Sequence, residues 1–524
     1  MRDSGRAVHE SPRTQSDPHE GGQARRVAAG ALTQQLAQVA GLVVLLAVVT
    51  VLARRLSLAE LGTYGLTATL ATYLLILKNS IGGAAQRAMV AAQLDEERVS
   101  AFSTAAVLYA ITGLCTGLLI AAVGSGIAAA VLDGELQHQA QLGVVGLGAV
   151  TAVGLAASVN LDALRAALLL TRSAANEIAG LAVFAALMLT LALSGAPLWS
   201  LIAASGSIPL LSGTVNLVAR RRLGLAYRFR RGAFAPERAR ALLPTAGWLL
   251  VIELSSLVIY GLDRVVLGVL ASPVAIGLYE GPVRAHNVIY ALNQSVGVTT
   301  LPVAAGYSGE GGGEQQEGDR ERMRRLVLRG SRYTLALFVP LAVTAMALAA
   351  PALEVWLGAK FREAAPALTI IVSYWLAYGM LAVNPNFLVG AGRARQVSGV
   401  VVAIAALNFA LSVALTPSLG VEGPALGTAV SYLVFFPLML RIGLGVGGVS
   451  FAELVRVALA PAYTLGLVLA ALLVGLRLTL DPHDLLTVVA LLVGGPLAYW
   501  AAYATFVLDA GERALAASLI PRRG

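Results

Sequence analysis

The sequence predicts an all-α polytopic membrane protein with about 14 transmembrane helices. Of its 524 residues, 57% are hydrophobic and 13% are charged, whereas about a quarter of a typical soluble domain is charged. Apolar stretches close to the ~20 residues needed to cross the hydrocarbon core recur along the whole chain. The single cysteine, Cys115, lies inside one of these stretches, so no intramolecular disulfide can form.

The chain opens with a polar segment, 1–27, which lacks the apolar core of a signal peptide. We predict a disordered cytoplasmic tail there. Prolines and glycines inside the apolar stretches are compatible with a membrane bundle, because neighbouring helices satisfy the interrupted backbone. The predicted spans are 28–52, 60–80, 100–123, 141–159, 174–193, 197–218, 242–270, 282–303, 333–350, 365–383, 397–416, 424–443, 453–475 and 484–507.

Two echoes within the sequence predict that six spans are duplicated in parallel orientation. Gly62-Thr63-Tyr64 opens span 2 and Gly277-Leu278-Tyr279 precedes span 8, while Arg172 and Arg393 precede spans 5 and 11. Transporters are often built from such repeats, with the substrate site at the repeat interface. The predicted units are an N-terminal lobe (28–218), a basic cytoplasmic linker (219–241), a C-terminal lobe (242–443), spans 13 and 14 (444–510) and a cytoplasmic C-terminus (511–524).

The distribution of basic residues predicts the orientation. Most of the 38 Lys and Arg residues fall in alternate connections on one side, which the positive-inside rule assigns to the cytoplasm. We therefore expect a multi-pass protein of the cytoplasmic membrane with both termini and 220–240 inside, and with 124–139 and 361–365 outside. The net charge of +9 is explained by this topology, so we expect no nucleic-acid partner. The glycine- and charge-rich stretch 306–332 is predicted to be a flexible cytoplasmic loop.

Several short segments form an ordered set of landmarks along the chain: 53–64, 263–268 with 276–279, 361–366, 388–393, Asn408 and 419–425. In this order they resemble segments of bacterial polysaccharide-biosynthesis flippases. On these segments the chain is similar to the Wzx-type flippases of the multidrug/oligosaccharidyl-lipid/polysaccharide (MOP) exporter superfamily.

The resemblance implies two six-helix lobes around a central cavity, with spans 13 and 14 appended. It also implies alternating access for a polyprenyl-diphosphate-linked oligosaccharide, which is made inside the cell and delivered outside for cell-surface polysaccharide biosynthesis. The implied partners are this lipid-linked glycan, membrane lipids, and the glycosyltransferases and polymerase of the same pathway.

Three alternative functions stay open. Lipid II flippases of the MurJ type also have fourteen spans but carry cavity arginines on their early helices, where span 1 here has glutamines and no charge. A membrane glycosyltransferase or polymer ligase would present catalytic acids or histidines on a sizeable external loop, and the predicted external connections are short. A non-transporting membrane scaffold with the same fold is the third alternative.

The strongest candidate site residues lie in spans 7 and 8. A charge near the centre of a span costs about 2.5–3.5 kcal/mol on insertion scales, so such residues usually face a wet cavity or a partner. Arg264 and Arg284 are the candidates for binding a diphosphate, because guanidinium geometry suits phosphate oxygens. For Arg264 the alternative is an ion pair with Asp263 or snorkelling to the external surface, and for Arg284 it is anchoring at the interface. Glu253 and Asp263 are candidate coupling or cavity acids.

Further polar residues are candidates for the cavity wall. Gln34 and Gln38 share a face of span 1, and span 8 contributes Asn287 and Asn293, while Lys78 and Arg87 are secondary candidates for the phosphate contact. There is no Walker-type loop and no clustered Cys or His spacing in the sequence. We expect no catalytic residue, metal or cofactor, and expect transport to be driven by an ion gradient, the membrane potential or the substrate gradient.

Overall fold

The computed structural model describes residues 18–92, 94–237, 239–240, 261–307 and 314–513, which are almost entirely helical and contain no strand. The N-terminal half comprises α1 (Pro18–Arg55), α2 (Leu58–Ala91), α3 (Asp95–Val131), α4 (Gly134–Ala166), α5 (Leu170–Leu193), α6 (Leu198–Ser205) and α7 (Ile208–Arg222). The C-terminal half comprises α8 (261–270), α9 (Pro273–Tyr307), α10 (Glu314–Ala347), α11 (Ala349–Leu357), α12 (Ala365–Ser373), α13 (Trp375–Tyr378), α14 (Pro385–Gly390), α15 (Ala394–Leu419), α16 (Glu422–Gly447), α17 (Phe451–Leu454), α18 (Ala460–Leu480) and α19 (Leu485–Phe506). A π-helical turn, Val455–Leu459, joins α17 to α18.

The polytopic helical membrane fold is confirmed. Within the described ranges, ten helices are long and apolar enough to cross a membrane, and α6 with α7, which are bent by 50° at their junction, form an eleventh if they are one span. The count of fourteen is not confirmed. The difference lies in predicted spans 2, 7 and 10. Span 2 falls within α2, which is not among the ten helices. Span 7 lies largely outside the described residues, and span 10 is broken.

The predicted span at 365–383 is not one continuous helix, because the chain breaks repeatedly there. Helix α12 ends at Ser373, α13 lasts one turn, and a 3₁₀ turn precedes α14. Asn384 starts α14 by accepting hydrogen bonds from the backbone N–H groups of Asn386 (3.0 Å) and Phe387 (3.2 Å). Pro385 follows, and a residue that precedes proline is pushed out of the helical conformation. The stretch is mostly apolar, so hydropathy alone does not reveal the break.

The predicted flexible loop at 306–332 is also largely wrong. Helix α9 continues to Tyr307 and α10 begins at Glu314, so most of the charged stretch is helical. Arg322 pairs with Asp319 at 3.3 Å, one helical turn away, and such pairs support exposed helices. Arg324 also pairs with Glu453 of α17, which ties this helix to the start of the last two spans.

Both ends of the N-terminal lobe differ from the sequence-based boundaries. Helix α1 begins at Pro18, within the segment predicted to be a tail. The basic linker folds back on the lobe: buried Arg220 donates from Nε to Asn160 Oδ1 at 2.9 Å. Ser103 Oγ accepts from the backbone N–H of Arg230 at 3.0 Å. The linker is therefore packed on α3 and α4 over much of its length.

The two C-terminal helices pack against the C-terminal half. Trp500 Nε1 on α19 donates to Ala336 O on α10 at 2.8 Å. Tyr499 donates from its hydroxyl to Ala462 O on α18 at 3.0 Å. The first contact fixes α19 to α10, and the second joins α19 to α18, as expected for helices appended to a six-helix unit.

Candidate functional site

The two halves of the protein meet where α2 crosses α9. A Cβ atom added to Gly62 would clash with Pro273 O and lie 2.8 Å from the backbone nitrogen of Gly277, and a Cβ added to Gly277 would clash with Leu58 O. Glycine at both positions lets the two backbones touch. The two sequence echoes that suggested an internal repeat therefore lie against each other at the interface between the halves.

One turn further along the helices, Glu280 of α9 lies against Gly65 of α2. The Glu280 carboxylate occupies the space that a Cβ on Gly65 would need, and the residue is 1% exposed. Arg264 Nε donates to its Oε1 at 2.5 Å and Arg284 Nε donates to its Oε2 at 3.1 Å. We call Arg264, Glu280 and Arg284 the charged triad. It holds two guanidinium groups on one carboxylate, so its formal charge is +1.

The two arginines of the charged triad differ in solvent exposure. Arg264 is 4% exposed, whereas the side chain of Arg284 is 21% exposed. Arg284 therefore has the more accessible guanidinium for an incoming anion. The structure brings together the two arginines that the sequence suggested for a diphosphate, and it places between them an acid that the sequence reasoning missed.

Asp263 is adjacent to Arg264 in sequence but is held by other groups. It is buried and accepts hydrogen bonds from the hydroxyls of Tyr279 (3.0 Å) and Ser412 (3.4 Å). Among the described residues, the ion pair of Arg264 is with Glu280 and not with Asp263. Asp263 thus joins α8 to α9 and α15 and fixes the helix that carries Arg264.

A signal for Glu280 is present in the sequence. Glu280 and Arg284 are four residues apart, and side chains at this spacing lie on the same face of a helix. Glu280 also directly follows the Gly277-Leu278-Tyr279 echo. An acid and a base at this spacing in a membrane span would be expected to pair, because each is expensive to bury alone.

Deeper along α9, polar side chains serve packing within the C-terminal half. His286 is buried, with Nε2 2.7 Å from the hydroxyl of Tyr374 and Nδ1 3.4 Å from Asn287 Oδ1. Asn384 donates to Asn293 Oδ1 at 3.2 Å. Asn293 therefore holds the broken segment around Asn384 against α9.

The remaining candidate residues either lie on α1 or are not among the described residues. Gln38 is exposed on α1. Glu253 lies outside the described residues, and so do the side chains of Gln34, Lys78 and Arg87. Among the residues that the structure describes, no three potential ligands cluster closely enough to hold a metal ion.

An apolar cleft of about 250 Å³ adjoins the triad. It lies between α2 and α3 of one half and α8 of the other, and Arg264 forms part of its wall. Leu119 and Val123 at its rim are both 45% exposed on the outer surface of the bundle. The cleft therefore connects the surroundings of Arg264 with exposed apolar side chains of α3. Its described lining residues are Leu66, Thr69, Leu70, Leu119, Ile120, Val123, Ile127, Gly261, Leu262, Arg264 and Val265.

A second set of contacts between the halves lies at the end of the bundle where α1 stops and α2 starts. Arg54 donates to Val355 O at 2.7 Å and to Trp356 O at 3.3 Å. Lys360 Nζ donates to Leu56 O at 2.7 Å. Burial lowers the pKa of Lys360, although the nearby Glu60 carboxylate acts in the opposite direction. Each half thus places a cation on backbone carbonyls of the other, where the C-terminal end of a helix favours positive charge.

Two helical halves that meet around a cationic cluster form the kind of polytopic membrane bundle in which transporters place their substrate site. The sequence profile of the family described as polysaccharide biosynthesis protein matches residues 51–366, which is more than half of the chain. The chain belongs to this family.

Solved transporter structures share the fold. A structure described as lipid II flippase MurJ in an inward closed conformation superposes with a TM-score of 0.67 at 13% identity, covering 91% of this chain and 100% of that one. An inward-facing multidrug resistance MATE family transporter of the MOP superfamily superposes with a TM-score of 0.61 at 14% identity. The match covers 81% of this chain and 98% of that one. The outward-facing form of a multidrug resistance MATE family transporter of that superfamily superposes with a TM-score of 0.54 at 14% identity. The match covers 81% of this chain and 96% of that one. A search of curated proteins by sequence finds no match. The predicted membership of a polysaccharide-biosynthesis family is confirmed, and the predicted fold is shared with a transporter of the MOP superfamily.

Proposed function

We propose that this protein moves a polyprenyl-diphosphate-linked oligosaccharide from the inner to the outer face of the cytoplasmic membrane by alternating access. Family membership supports the substrate class. The observation that carries the proposal is the charged triad between the two halves, because it provides positive charge where a diphosphate would have to pass.

The energetic argument concerns the desolvation of phosphate. Burying an isolated ion costs several kcal/mol even after the protein relaxes, ~20 kcal/mol in the idealised limit. A diphosphate therefore crosses only where cations replace its water. Arg264 and Arg284 supply two guanidinium groups, whose planar donors match phosphate oxygens in pairs.

Glu280 has a defined part in this proposal. It neutralises one of the two guanidinium groups and holds both in place. A diphosphate entering the site takes over these contacts, and Glu280 then competes with it. This competition keeps the substrate from binding so tightly that it cannot leave on the other side.

The closed end of the bundle supports an alternating-access cycle. The contacts of Arg54 and Lys360 lie at the end that the sequence topology places outside. The described conformation is then closed toward the outside, and release of the glycan requires these contacts to break. The termini and the stretch 220–240 are cytoplasmic in this orientation. Glycosyltransferases supply the substrate inside and a polymerase consumes it outside, so the protein itself carries out no chemical step.

The experiment is flipping in proteoliposomes. Purified protein is reconstituted with a fluorescent polyprenyl-diphosphate oligosaccharide, and an impermeant reductant reports how much label is exposed. We expect exposure of the label to depend on the protein and to be inhibited by unlabelled lipid-linked oligosaccharide. A protein that leaves the label distribution unchanged, or that forms or cleaves glycosidic bonds, would refute the proposal.

Lipid II is the second candidate substrate. The observation that favours it is the similarity to the lipid II flippase structure, which extends over nearly the whole of both chains. Lipid II also carries a polyprenyl diphosphate, so the triad suits both. Competition between the two unlabelled lipids in the same proteoliposomes separates them, because the preferred substrate inhibits at lower concentration.

A further inference from the structure

A second cleft, of about 460 Å³, lies in the C-terminal half between the start of α15 and the end of α16. Gln396 of this cleft and Ser412, which contacts Asp263, are sixteen residues apart on α15, or about 24 Å along the helix. The cleft is thus separate from the charged triad. It is lined by Arg393, Gln396, Val400, Leu438, Arg441, Ile442 and Gly445.

One side of this cleft is cationic. Arg393 directly precedes α15 and Arg441 lies on α16. Both are exposed, and neither forms an ion pair with any described residue. Gln396 adds an amide that can donate hydrogen bonds. Two guanidinium groups facing one space favour an anion with several oxygens, and a phosphate matches their paired donors.

The other side is apolar and continues along the membrane-facing surface. Val400 is buried at the base of the cleft, and Leu438 at its rim is 45% exposed. Val434 and Val430 are also exposed, and their spacing of four residues places them below Leu438 on the same face of α16. The apolar strip therefore leads from the two arginines toward the middle of the bilayer.

From this combination we propose that the cleft is a binding site for an anionic phospholipid. Its phosphate contacts Arg393 and Arg441, and one acyl chain follows Leu438, Val434 and Val430. Basic pockets between membrane helices on the cytoplasmic side are suited to anionic headgroups, and the predicted topology places both arginines on that side. A zwitterionic lipid fits less well, because its positive group would face the same two arginines.

Gly445 gives the site a steric test. A Cβ atom added to Gly445 meets nothing within 4 Å, so this wall of the cleft is open. A larger side chain there fills the cleft without removing either arginine. Charge and shape can therefore be varied independently.

The experiment is native mass spectrometry of the purified full-length protein titrated with phosphatidylglycerol or phosphatidylcholine. We expect the parent protein to bind one phosphatidylglycerol molecule more tightly than any further phosphatidylglycerol molecules. Each basic residue near a membrane surface adds about fivefold to the binding of an anionic lipid, so the double variant Arg393→Gln/Arg441→Gln should bind this lipid about 25-fold more weakly. Gly445→Leu should lose the same lipid with both arginines in place.

The control is Arg456→Gln, which removes an exposed arginine from the same predicted membrane side but outside the cleft. Because Arg456 does not line the cleft, its loss should weaken the binding of phosphatidylglycerol by at most about fivefold, well short of the loss in the double variant. Equal thermal unfolding temperatures of all variants in lipid-free detergent show that folding is intact. Three results would overturn the proposal: unchanged binding by the double variant, equal losses in the Arg456 control, or displacement of the lipid by inorganic phosphate.

Discussion

The substitution Glu280→Gln tests whether this carboxylate competes with the substrate. Glutamine keeps the size of the side chain but removes the charge that pairs with Arg264 and Arg284. Removing one partner of a buried ion pair costs about 3–5 kcal/mol, because the remaining charge is left uncompensated. The ligand-free variant should therefore unfold at lower temperature than the parent.

The same substitution should strengthen the binding of a diphosphate. At an effective dielectric constant of 20, a carboxylate and a phosphate oxygen about 5 Å apart repel each other by about 3 kcal/mol. Relief of most of this repulsion corresponds to binding that is about 10- to 100-fold tighter. Farnesyl diphosphate is a suitable soluble probe, because it combines a prenyl chain with the diphosphate.

The assay is thermal unfolding in detergent across a titration of farnesyl diphosphate. Glu280→Gln should start less stable than the parent and gain more from the ligand. Glu177→Gln is the matched control: it also removes the acid of an ion pair, with Arg165 at 3.1 Å, but in a partly exposed position in the N-terminal half. A surface pair of this kind contributes ~0–1 kcal/mol, and its loss should not change the ligand response. If Glu280→Gln responds to the ligand no more than the parent, Glu280 is not a competitor.

Three further predictions follow from individual contacts. Gly65→Ala should displace the Glu280 carboxylate and reduce flipping at least tenfold, whereas Gly126→Ala, whose Cβ would meet no atom within 4 Å, should leave flipping unchanged. Arg54→Ala removes two hydrogen bonds between the halves. It should raise the rate at which an impermeant thiol reagent labels a cysteine placed at this interface. An unchanged labelling rate would show that these bonds do not hold that end of the bundle closed. Asn384→Ala removes the cap of α14 and the bond to Asn293, and should lower the free energy of unfolding by about 1–3 kcal/mol; an unaltered unfolding temperature would contradict this.

The fold class was predictable because it depends on composition and periodicity. Long apolar stretches require helices in a bilayer, since every backbone polar group must be satisfied within the protein. Gly62 and Gly277 suggested only an internal repeat in the sequence. The structure places them at the contact between the halves, where glycine allows two backbones to lie so close. Helix breaks were less predictable. Residues 365–383 are mostly apolar, so hydropathy does not report the interruption. The backbone N–H groups of Leu381 and Ala382 there donate to the hydroxyls of Thr334 and Ser331 on α10, which are tertiary contacts.

The site was predicted only in part. Arg264 and Arg284 stood out because each is a charge in an apolar span, and the structure joins them. Glu280 was missed, although its spacing from Arg284 signals a pair on one helix face. The contact of Glu280 with Arg264 of α8 and with Gly65 of α2 is tertiary. It depends on how three helices pack, which no local pattern in the sequence specifies.

The central claim is that Arg264 and Arg284 carry the diphosphate during translocation. The most direct test is the rate of flipping of a labelled polyprenyl-diphosphate oligosaccharide by Arg264→Ala, Arg284→Ala and the two corresponding lysine variants, at equal protein abundance in proteoliposomes. We predict that each alanine variant flips at least tenfold more slowly. Lysine should restore only part of the rate, because it keeps the charge but lacks the paired donors of arginine. If both alanine variants flip at the parent rate, the diphosphate does not cross through the charged triad.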